Sequence, residues 1–395
     1  MVSASQNTPS SGPIRLGMVG GGRGAFIGAV HRIAARLDGD YTLVAGALSS
    51  DAKRALESGI ELGLSPDRCY RSFKDMAKIE AAREDGIEAV SIVTPNHMHY
   101  PAARAFLEAG IHVICDKPLT STLDDAEKLA TLAENSGCLF VLTHNYTGYP
   151  MIRQARDMVA SGRLGSIRLV QVEYVQDWLT EAEEGSGNKQ AEWRTDPEQS
   201  GAGGCVGDIG THAWNLATFV SGLQTESVAA DLDTFVAGRR LDDNVHVMLR
   251  FKPEGEEKPA KGMLWSSQVA PGNENSLKLR VYGSKGGLEW QQEDPNRLLF
   301  TPFGKPKQIL TRGGAATGAA AARVTRVPPG HPEGYLEGFA NIYAEAARAI
   351  RARRDAGGKV PGDVFYPTVR DGLDGMRFID ACVRSSAKNA AWTNL

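Results

Sequence analysis

The amino-acid sequence predicts an α/β domain with a doubly wound parallel sheet, followed by an α+β domain with an open, mainly antiparallel sheet. The chain has 395 residues, more than one hydrophobic core usually organises. Apolar runs alternate with helical patterns from residue 14 to about 143, whereas several apolar runs follow one another without helices from about 227 to 310. We therefore expect a disordered tail or arm at 1–13, a first domain at 14–146 and a second at 147–395.

The first domain is predicted as strand and helix in alternation. Buried strands are expected at 14–20, 41–49, 86–94, 111–116 and 139–144. Helices are expected at 28–37, 51–63, 74–83, 99–109 and 122–136. Such an alternation forms βαβ units, which produce a parallel sheet with helices on both faces.

The second domain is predicted to begin with a helix at 151–162 and a long β-rich segment at 167–179. A polar, Gly-rich loop and a helix near Asp208 follow. Strands are then expected at 244–251, 262–270, 276–283 and 287–292. Residues 312–330 form a low-complexity connector that we expect to be a mobile loop, and two helices near 334–354 and 366–386 close the chain.

Composition excludes several classes of protein. The formal net charge is −3 and no basic stripe is present, so neither a nucleic acid nor a membrane surface is an expected partner. The five cysteines are scattered without a CxxC pair, which argues against a zinc site or a disulfide framework. The N-terminus is polar and lacks the apolar core of a secretory signal. We expect a cytoplasmic protein that needs no metal.

The first strand runs into a glycine-rich turn, "GMVGGGRGAFIGAVHR" at 17–32. A strand–turn–helix with Gly20 and Gly22 in the turn suits the pyrophosphate of a dinucleotide. The third position of the usual pattern falls on Ala25, and Gly28 begins the helix proper, so the loop carries about three extra residues. A glycine-rich turn without a ligand is the alternative. The predicted cofactor contacts are Gly20, Gly22, Arg23, Ala25, Phe26 and Ile27.

The end of the second strand bears on the choice between NAD and NADP. An acid there would bind the ribose 2′-hydroxyl of NAD, but Leu48 occupies that position. The residues that follow suit a 2′-phosphate, whereas Asp51 suits NAD. We expect NAD or NADP and favour NADP, with contacts from Ser49, Ser50, Lys53 and Arg54.

The segment "IVTPNHMHYP" follows the strand at 86–94. Ligands of such sheets bind beyond the carboxyl ends of the strands, so Thr94, Pro95, Asn96 and His99 are expected beside the nicotinamide half of the cofactor. His97 and His99 could instead be metal ligands, but too few acidic or Cys partners surround them. We favour a helix start with one solvated and one packed histidine.

In "HVICDKPLT", Lys117 stands at the carboxyl end of a buried strand, after Asp116 and before Pro118. An X–Pro bond can fix a sharp turn, possibly cis, which would direct Lys117 into the cleft. Asp116 and Lys117 are also expected to contact the cofactor. Lys117 is either a surface charge or a catalytic ammonium.

Asp208 and His212 are four residues apart in "GGCVGDIGTHAWNL". On a helix they would share a face. The structural interpretation is an aspartate at a helix N-terminus above a core histidine. The functional interpretation is that His212 moves a proton of a substrate hydroxyl, for which its pKa near neutrality is suited, while Asp208 binds substrate or tunes His212.

Four motifs in this order and spacing, "GMVGGG", "TPNHMH", "DKP" and "GGCVGDIGTH", resemble the glucose–fructose oxidoreductase / inositol dehydrogenase / MocA (Gfo/Idh/MocA) family. "DKP" replaces the family's usual Glu-Lys-Pro. The resemblance covers residue 14 to the C-terminal helices and implies a Rossmann domain, a C-terminal domain whose open sheet often pairs in dimers, and hydride transfer between NAD(P) and a secondary alcohol of a sugar or cyclitol.

The same resemblance implies that Lys117 hydrogen-bonds the reacting oxygen, His212 is the acid/base and Asp208 orients the substrate. A polyhydroxylated substrate and a homodimer or homotetramer are expected. Further substrate contacts are expected from the second domain and its border. These are Tyr146, Asp177, Trp178, Trp193, Arg194 and His331, with Gln176 and Lys189 as neighbouring candidates.

Two alternative functions remain open at this point. The first is a redox-assisted glycosidase, which oxidises a sugar carbon transiently and recycles NAD(P). The second is a cofactor-binding regulator without catalysis, which is disfavoured because Lys117, Asp208 and His212 are all present.

Overall fold

The computed structural model describes residues 12–253, 258–356 and 358–395, and for 355 and 356 only the backbone. The predicted tail at 1–13 lies outside the described residues except for Gly12 and Pro13.

The N-terminal part folds around a five-stranded parallel sheet, as predicted. Its order is β2-β1-β3-β4-β5. The strands are β1 Ile14–Gly20, β2 Tyr41–Ala47, β3 Ala89–Val93, β4 His112–Cys115 and β5 Phe140–Leu142. The helices between and after them are α1 Phe26–Leu37, α2 Ala52–Glu61, α3 Phe73–Ala81, α4 His99–Glu108 and α5 Leu123–Asn135.

The C-terminal part contains a nine-stranded sheet of order β13-β12-β11-β10-β6-β9-β8-β7-β14. The sheet is mixed because β6 and β9 pair in parallel, while its other pairs are antiparallel. The strands are β6 Ile167–Val175, β7 Thr225–Asp233, β8 Asn244–Phe251, β9 Lys261–Ser267, β10 Ser276–Gly283, β11 Gly286–Gln291, β12 Arg297–Pro302, β13 Gln308–Thr311 and β14 Thr393–Asn394. The helices are α6 Pro150–Ala160, α7 Lys189–Arg194, α8 Pro197–Ser200, α9 Thr211–Ser221, α10 Ala319–Ala322, α11 Tyr335–Ala356 and α12 Val369–Ser386.

Helices cover both faces of the parallel sheet, so it is doubly wound. Successive side chains of a strand point to opposite faces. In β4, Val113 and Cys115 join a core with Phe106 of α4 and Leu129 of α5. Ile114 joins a second core built from α1 and α11. The late helix α11 thus packs on the N-terminal sheet, and the division of the chain at 146/147 stays a prediction.

One face of the nine-stranded sheet is covered by α6, α9 and α12, and part of its other face is open. Val170 and Val172 of β6 are buried in the core. Leu169 of β6, Met248 of β8 and Met263 of β9 are 49%, 52% and 59% exposed on the opposite face. An open sheet face in the C-terminal part agrees with the prediction.

The predicted mobile loop at 312–330 is packed instead. It contains the short helix α10, and the buried Arg312 pairs with Glu333 and donates to the backbone carbonyls of Val327, Pro328 and His331. A single buried guanidinium with several fixed acceptors therefore holds both ends of the segment.

Among the helices of the described chain, none is long and apolar enough to cross a membrane.

Candidate active site

A cleft of about 740 Å³ opens at the carboxyl edge of the parallel sheet. The loops after β1, β2, β3 and β4 form one wall, and α7 together with Asp208 forms the other. This edge is where open α/β sheets bind ligands. The structure brings most of the predicted residues here: Gly20, Gly22, Arg23, Ala25, Ile27, Ser49, Ser50, Arg54, Thr94, Pro95, Asn96, Asp116, Lys117, Trp193, Arg194 and Asp208.

The glycines of the first loop are required by its geometry. Gly20 and Gly21 have φ of 79° and 73°, a conformation that side chains disfavour. A Cβ on Gly22 would lie 2.6 Å from the carbonyl oxygen of Leu48. α1 begins at Phe26, two residues before the predicted start, and Gly28 in its first turn packs against Gly21, where a Cβ would lie 2.3 Å from the Gly21 Cα. Gly28 thus makes the close helix–loop contact that the third glycine usually provides.

The N-terminus of α1 fits a pyrophosphate. Ala25 precedes the helix without a side-chain cap, and no acidic residue lies in the first turn. The first backbone N–H groups of a helix have no partner within it and attract anions. Phe26, a predicted cofactor contact, is 65% exposed and is not among the residues that line the cleft.

A second groove, of about 500 Å³, lies beside the end of β2. Its charged lining consists of four cations and two carboxylates: Arg23, Lys53, Arg54, Lys189, Asp51 and Glu57. Asp51 is the N-cap of α2 and accepts from the Arg54 N–H at 2.7 Å. Arg23 pairs with Glu57 and Glu61 on the surface. Leu48 is buried, so no carboxylate stands at the end of β2 itself.

The loop after β3 is tied to both parts of the chain. The side-chain amide of Asn96 donates to the Ser200 carbonyl at 2.9 Å, which fixes α8 against this loop. The predicted cofactor contact of His99 is corrected by the structure. His99 is fully buried, and its ring nitrogens lie 2.8 and 2.9 Å from the carbonyl oxygens of Pro118 and Thr94. Both nitrogens are therefore occupied by the backbone and none is left for a ligand.

Lys117 points into the cleft from the end of β4. The Lys117–Pro118 peptide is cis. The Lys117 Nζ donates to the backbone carbonyl of Asp208 at 2.6 Å and to its Oδ1 at 2.9 Å. Both side chains are largely buried, at 12% and 15% exposure. The surface-charge interpretation of Lys117 is thereby removed.

Asp208 is held from several sides. It lies in a π-helical turn, Val206–Gly210, that runs into α9. Its Oδ2 accepts from the Gln268 Nε2 at 2.9 Å and lies 3.2 Å from the Arg194 Nε. The bonds of its carboxylate go to Lys117, Arg194 and Gln268, and none joins it to His212, so helix spacing alone did not identify its partners.

His212 lies in a pocket of aromatic rings. The ring centroids of Tyr146, His144 and Tyr174 are 5.0, 5.5 and 6.1 Å from its own. The His212 ring is 8% exposed, and its Nδ1 has no hydrogen-bond partner among the described residues. Nothing therefore holds this imidazole in a charged form.

Burial and the nearby ammonium of Lys117 determine the charge states of Asp208 and His212. Burial alone would raise the pKa of Asp208, but the cations of Lys117 and Arg194 outweigh it and hold that pKa well below its usual range. Burial lowers the pKa of His212 well below its usual value, and Lys117 and His144 lower it further. The site thus combines an ionised Asp208 with a neutral His212.

A hydrogen-bonded network extends from the tyrosines that pack on His212 into the C-terminal part. The Tyr146 and Tyr174 hydroxyls are 2.6 Å apart, and Tyr174 donates to the Asn275 Oδ1 at 2.7 Å. Gln176 donates to the same oxygen at 2.8 Å and accepts from the Trp178 Nε1 at 3.1 Å. Of the predicted substrate residues, Tyr146 lies in this network and Trp178 at its border.

Other predicted substrate residues have different positions. The Asp177 carboxylate accepts from the Gly272 N–H at 3.0 Å and holds a loop. The Arg194 guanidinium lies 4.3 Å from the Trp193 ring centre, and both face the cleft. His331 is exposed in the loop before α11, and its carbonyl is bound by Arg312, so the structure does not bring its ring to the site.

The sequence analysis missed five residues of this site, His144, Tyr174, Gln268, Asn275 and Tyr335. Burial raises the pKa of Tyr335 well above its usual value, and the charges of Tyr146 and Asp116 add to this effect. Tyr174 lies at an inward-facing position of a predicted strand, and Tyr335 lies four residues after His331, which was predicted to contact the substrate. The sequence offers no other indication of these residues, because their contacts join segments that are far apart in the chain.

Comparison with known proteins identifies both parts of the chain. The family model described as an oxidoreductase family with an NAD-binding Rossmann fold matches residues 14–155, and that of the GFO/IDH/MocA C-terminal domain matches residues 152–289. An uncharacterised oxidoreductase of Bacillus subtilis, YfiI, is 36% identical over 97% of both chains.

Two solved structures are similar over nearly the whole chain. An oxidoreductase from Sinorhizobium meliloti is 62% identical with a TM-score of 0.88, covering 97% of this chain and 99% of that one. An inositol dehydrogenase homologue from Azotobacter vinelandii, complexed with NADH and myo-inositol, is 37% identical with a TM-score of 0.90, covering 98% of each.

Proposed function

This chain belongs to the Gfo/Idh/MocA family of oxidoreductases, and we propose that it transfers a hydride between NAD(P) and a secondary alcohol of a sugar, a sugar derivative or an inositol. The observation that carries the proposal is that Lys117 and Asp208 pair in the cleft beyond the carboxyl ends of the parallel strands, with the His212 ring 5.5 Å from the ring of His144, which follows β5. A nicotinamide cofactor held by the loops of the cleft would supply the hydride chemistry. The A. vinelandii relative holds NADH and myo-inositol in the same fold.

The proposed roles follow from the charges. In alcohol oxidation the carbinol carbon loses a hydride, its hydroxyl loses a proton, and a carbonyl forms. Neutral His212 accepts that proton. Lys117 donates a hydrogen bond to the reacting oxygen, where negative charge develops. Asp208 positions Lys117, to which it is bound at 2.9 Å.

The substrate is proposed to be an uncharged polyol. An arginine in the cleft could hold an anionic substituent, but the Arg194 guanidinium lies 3.2 Å from the Asp208 carboxylate, which compensates part of its charge. The polar groups around Asn275 and Gln176 donate and accept hydrogen bonds without carrying charge. Such groups match hydroxyls.

The open face of the nine-stranded sheet is proposed to pair in a homodimer or homotetramer. The exposed Leu169, Met248 and Met263 would be covered by this pairing. The mass of the purified protein in solution, by light scattering, decides between monomer, dimer and tetramer.

The direct test of the reaction is a substrate panel of inositols, aldoses and glycosides with NAD⁺ and NADP⁺ separately, with product analysis. Accumulation of reduced nicotinamide with one class of polyol is the expected result. Product without net reduction would replace this proposal with the redox-assisted glycosidase. Cofactor binding without product from any polyol would replace it with the regulator.

For the cofactor we propose NADP over NAD, since four cations face two carboxylates in the groove beside β2. Arg54→Ala is expected to raise the KM for NADP⁺ about tenfold, the loss of one charged hydrogen bond. The KM for NAD⁺ should change by less than about twofold, because NAD has no 2′-phosphate.

The matched control is Arg377→Ala, a surface arginine on α12 that does not line this groove. Equal effects of Arg54→Ala on both dinucleotides, or better turnover with NAD⁺ in the parent protein, would contradict the NADP preference.

A further inference from the structure

A groove of about 790 Å³ opens on three loops at one end of the nine-stranded sheet. The loops join β9 to β10, join β11 to β12, and precede α11. Their polar lining consists of Glu274, Gln292, Glu293, Asn296 and Glu333. This groove is separate from the cofactor cleft and from the groove beside β2, and the proposed reaction does not use it.

Hydrogen bonds link the groove to the reaction centre. The Gln292 Oε1 accepts from the Asn275 Nδ2 at 2.8 Å, and Asn275 accepts from Tyr174, whose hydroxyl meets that of Tyr146. The rings of Tyr146 and Tyr174 surround His212. Three successive hydrogen bonds therefore lead from Tyr146, whose ring packs on His212, to the groove wall.

A second connection runs through Tyr149. The Gln292 Nε2 donates to the Tyr149 hydroxyl at 3.3 Å. The Tyr149 ring stacks on that of Tyr146, with the ring centroids 5.8 Å apart. The groove wall is thus joined to Tyr146 by a second route.

The carboxylates of the groove differ in burial, since Glu274 and Glu293 are exposed whereas Glu333 is buried. Glu333 is only 4% exposed. Its Oε1 accepts from Arg312 and from two backbone N–H groups, whereas its Oε2 has no partner among the described residues. Glu293 accepts from the Asn275 N–H at 3.0 Å, which fixes that carboxylate at the rim. An unpartnered buried oxygen is costly unless a donor reaches it.

The chemistry of the lining selects the ligand. The ionisable residues that line the groove are carboxylates, and no lysine, arginine or histidine lines it within the described chain. Carboxylates and amides accept hydrogen bonds from hydroxyl groups. A phosphorylated or carboxylated moiety would be repelled here, whereas a neutral, hydroxyl-rich ring matches the lining.

We propose that this groove is an outer subsite that takes a second polyhydroxylated ring, so that the preferred substrate is a glycoside of two rings. One ring reacts at Lys117 and His212, and the other is held by Glu274, Glu293 and Glu333. This inference rests on the proposed function and specifies its substrate class.

The test compares substrates that differ by one ring. Methyl β-glucoside and methyl β-cellobioside form one pair, and methyl α-glucoside and methyl α-maltoside form another. The kcat/KM for one of the two-ring compounds is expected to exceed that for its one-ring partner about tenfold or more, the contribution of one or two hydrogen bonds. Equal values in both pairs would overturn the subsite.

Glu293→Gln keeps the shape and the acceptor for Asn275 but removes the charge. It is expected to raise the KM for the two-ring compound about fivefold or more, with kcat and the one-ring kinetics nearly unchanged. Glu274→Gln should act in the same direction. Glu127→Gln, at an exposed position on α5, is the matched control.

If no compound is oxidised, the proposed function fails. The subsite can still be tested, because calorimetry measures the binding of the two-ring glycosides to the parent protein and to the Glu293→Gln variant without any reaction. Binding weakened by the substitution supports the subsite alone. Absence of binding, or binding that the substitution leaves unchanged, overturns it.

Discussion

Replacing Lys117 with methionine is expected to lower kcat by about 10²–10³-fold, the range found when a donor to a developing oxyanion is removed. Methionine has a similar length but no charge and no N–H donor. The Kd of the dinucleotide should change by less than about twofold, because in this proposal the glycine loop and the uncapped N-terminus of α1 would hold the pyrophosphate without Lys117. Single-turnover kinetics and tryptophan-fluorescence titration measure the two quantities separately.

The variant also removes one partner of a buried ion pair. Breaking such a pair costs up to about 3–5 kcal/mol of folding stability when the remaining charge is left alone. Here Asp208 retains Arg194 and Gln268, so we expect a smaller loss in thermal or urea unfolding. The double variant Lys117→Met with Asp208→Asn leaves Arg194 without its carboxylate, so it should recover neither stability nor turnover.

Two further results bear on this prediction. Lys388→Met, an exposed lysine after α12, is the control and should leave kcat as it is. Turnover retained in Lys117→Met would show that the ammonium does not assist the reaction. A pKa of His212 that rises in the variant would agree with the geometry, because Lys117 is among the groups that lower it.

The parallel sheet and its helices could be predicted because each segment carries its own local signal. In β4 and β5, short apolar runs follow helices and are buried on both faces, which is the pattern of a parallel strand. The open sheet was predictable for a similar reason, since β8 alternates buried and exposed residues. Element ends differ by a few residues, as at α1, which begins at Phe26 without a side-chain cap to mark its start.

The site could be predicted only in part, because spacing fixes positions on one element and not the contacts between elements. Lys117, Asp208 and His212 were identified from motifs. The π-helical turn at Val206–Gly210 could not be predicted from spacing. Neither could the contacts of Asp208 with Arg194 and Gln268, because these two residues come from other loops. His99 and His331 were assigned to the site because they are close in sequence to other predicted site residues. The structure places both elsewhere, since His99 is buried and His331 is exposed in a loop.

Replacing His212 with phenylalanine is expected to lower kcat for alcohol oxidation by about 10²–10⁴-fold, the usual contribution of a positioned general base. Phenylalanine preserves the ring packing against Tyr146 and His144 but cannot accept a proton. The defect should shrink as pH rises, because solvent base then removes more of the hydroxyl proton. Cofactor binding should change little, since His212 does not line the cofactor cleft.

The pH profile of the parent protein provides an independent check with a definite sign. A base works only when unprotonated, and burial with Lys117 lowers the pKa of His212 well below 6.5. Oxidation should therefore keep its full rate as pH falls through 6.5 and decline only well below it. Reduction requires the protonated ring, so its rate should already be falling with rising pH in the neutral range.

The control for this series is His246→Phe, which keeps a ring stacked on Trp265 at the outer face of the sheet. An acid limb of oxidation near pH 6.5 would indicate a solvated histidine or another group as the base. If the His212→Phe protein has the turnover and pH profile of the parent, another residue transfers the proton. The next candidates to replace with phenylalanine would then be Tyr146 and Tyr174, whose hydroxyls are 2.6 Å apart beside His212.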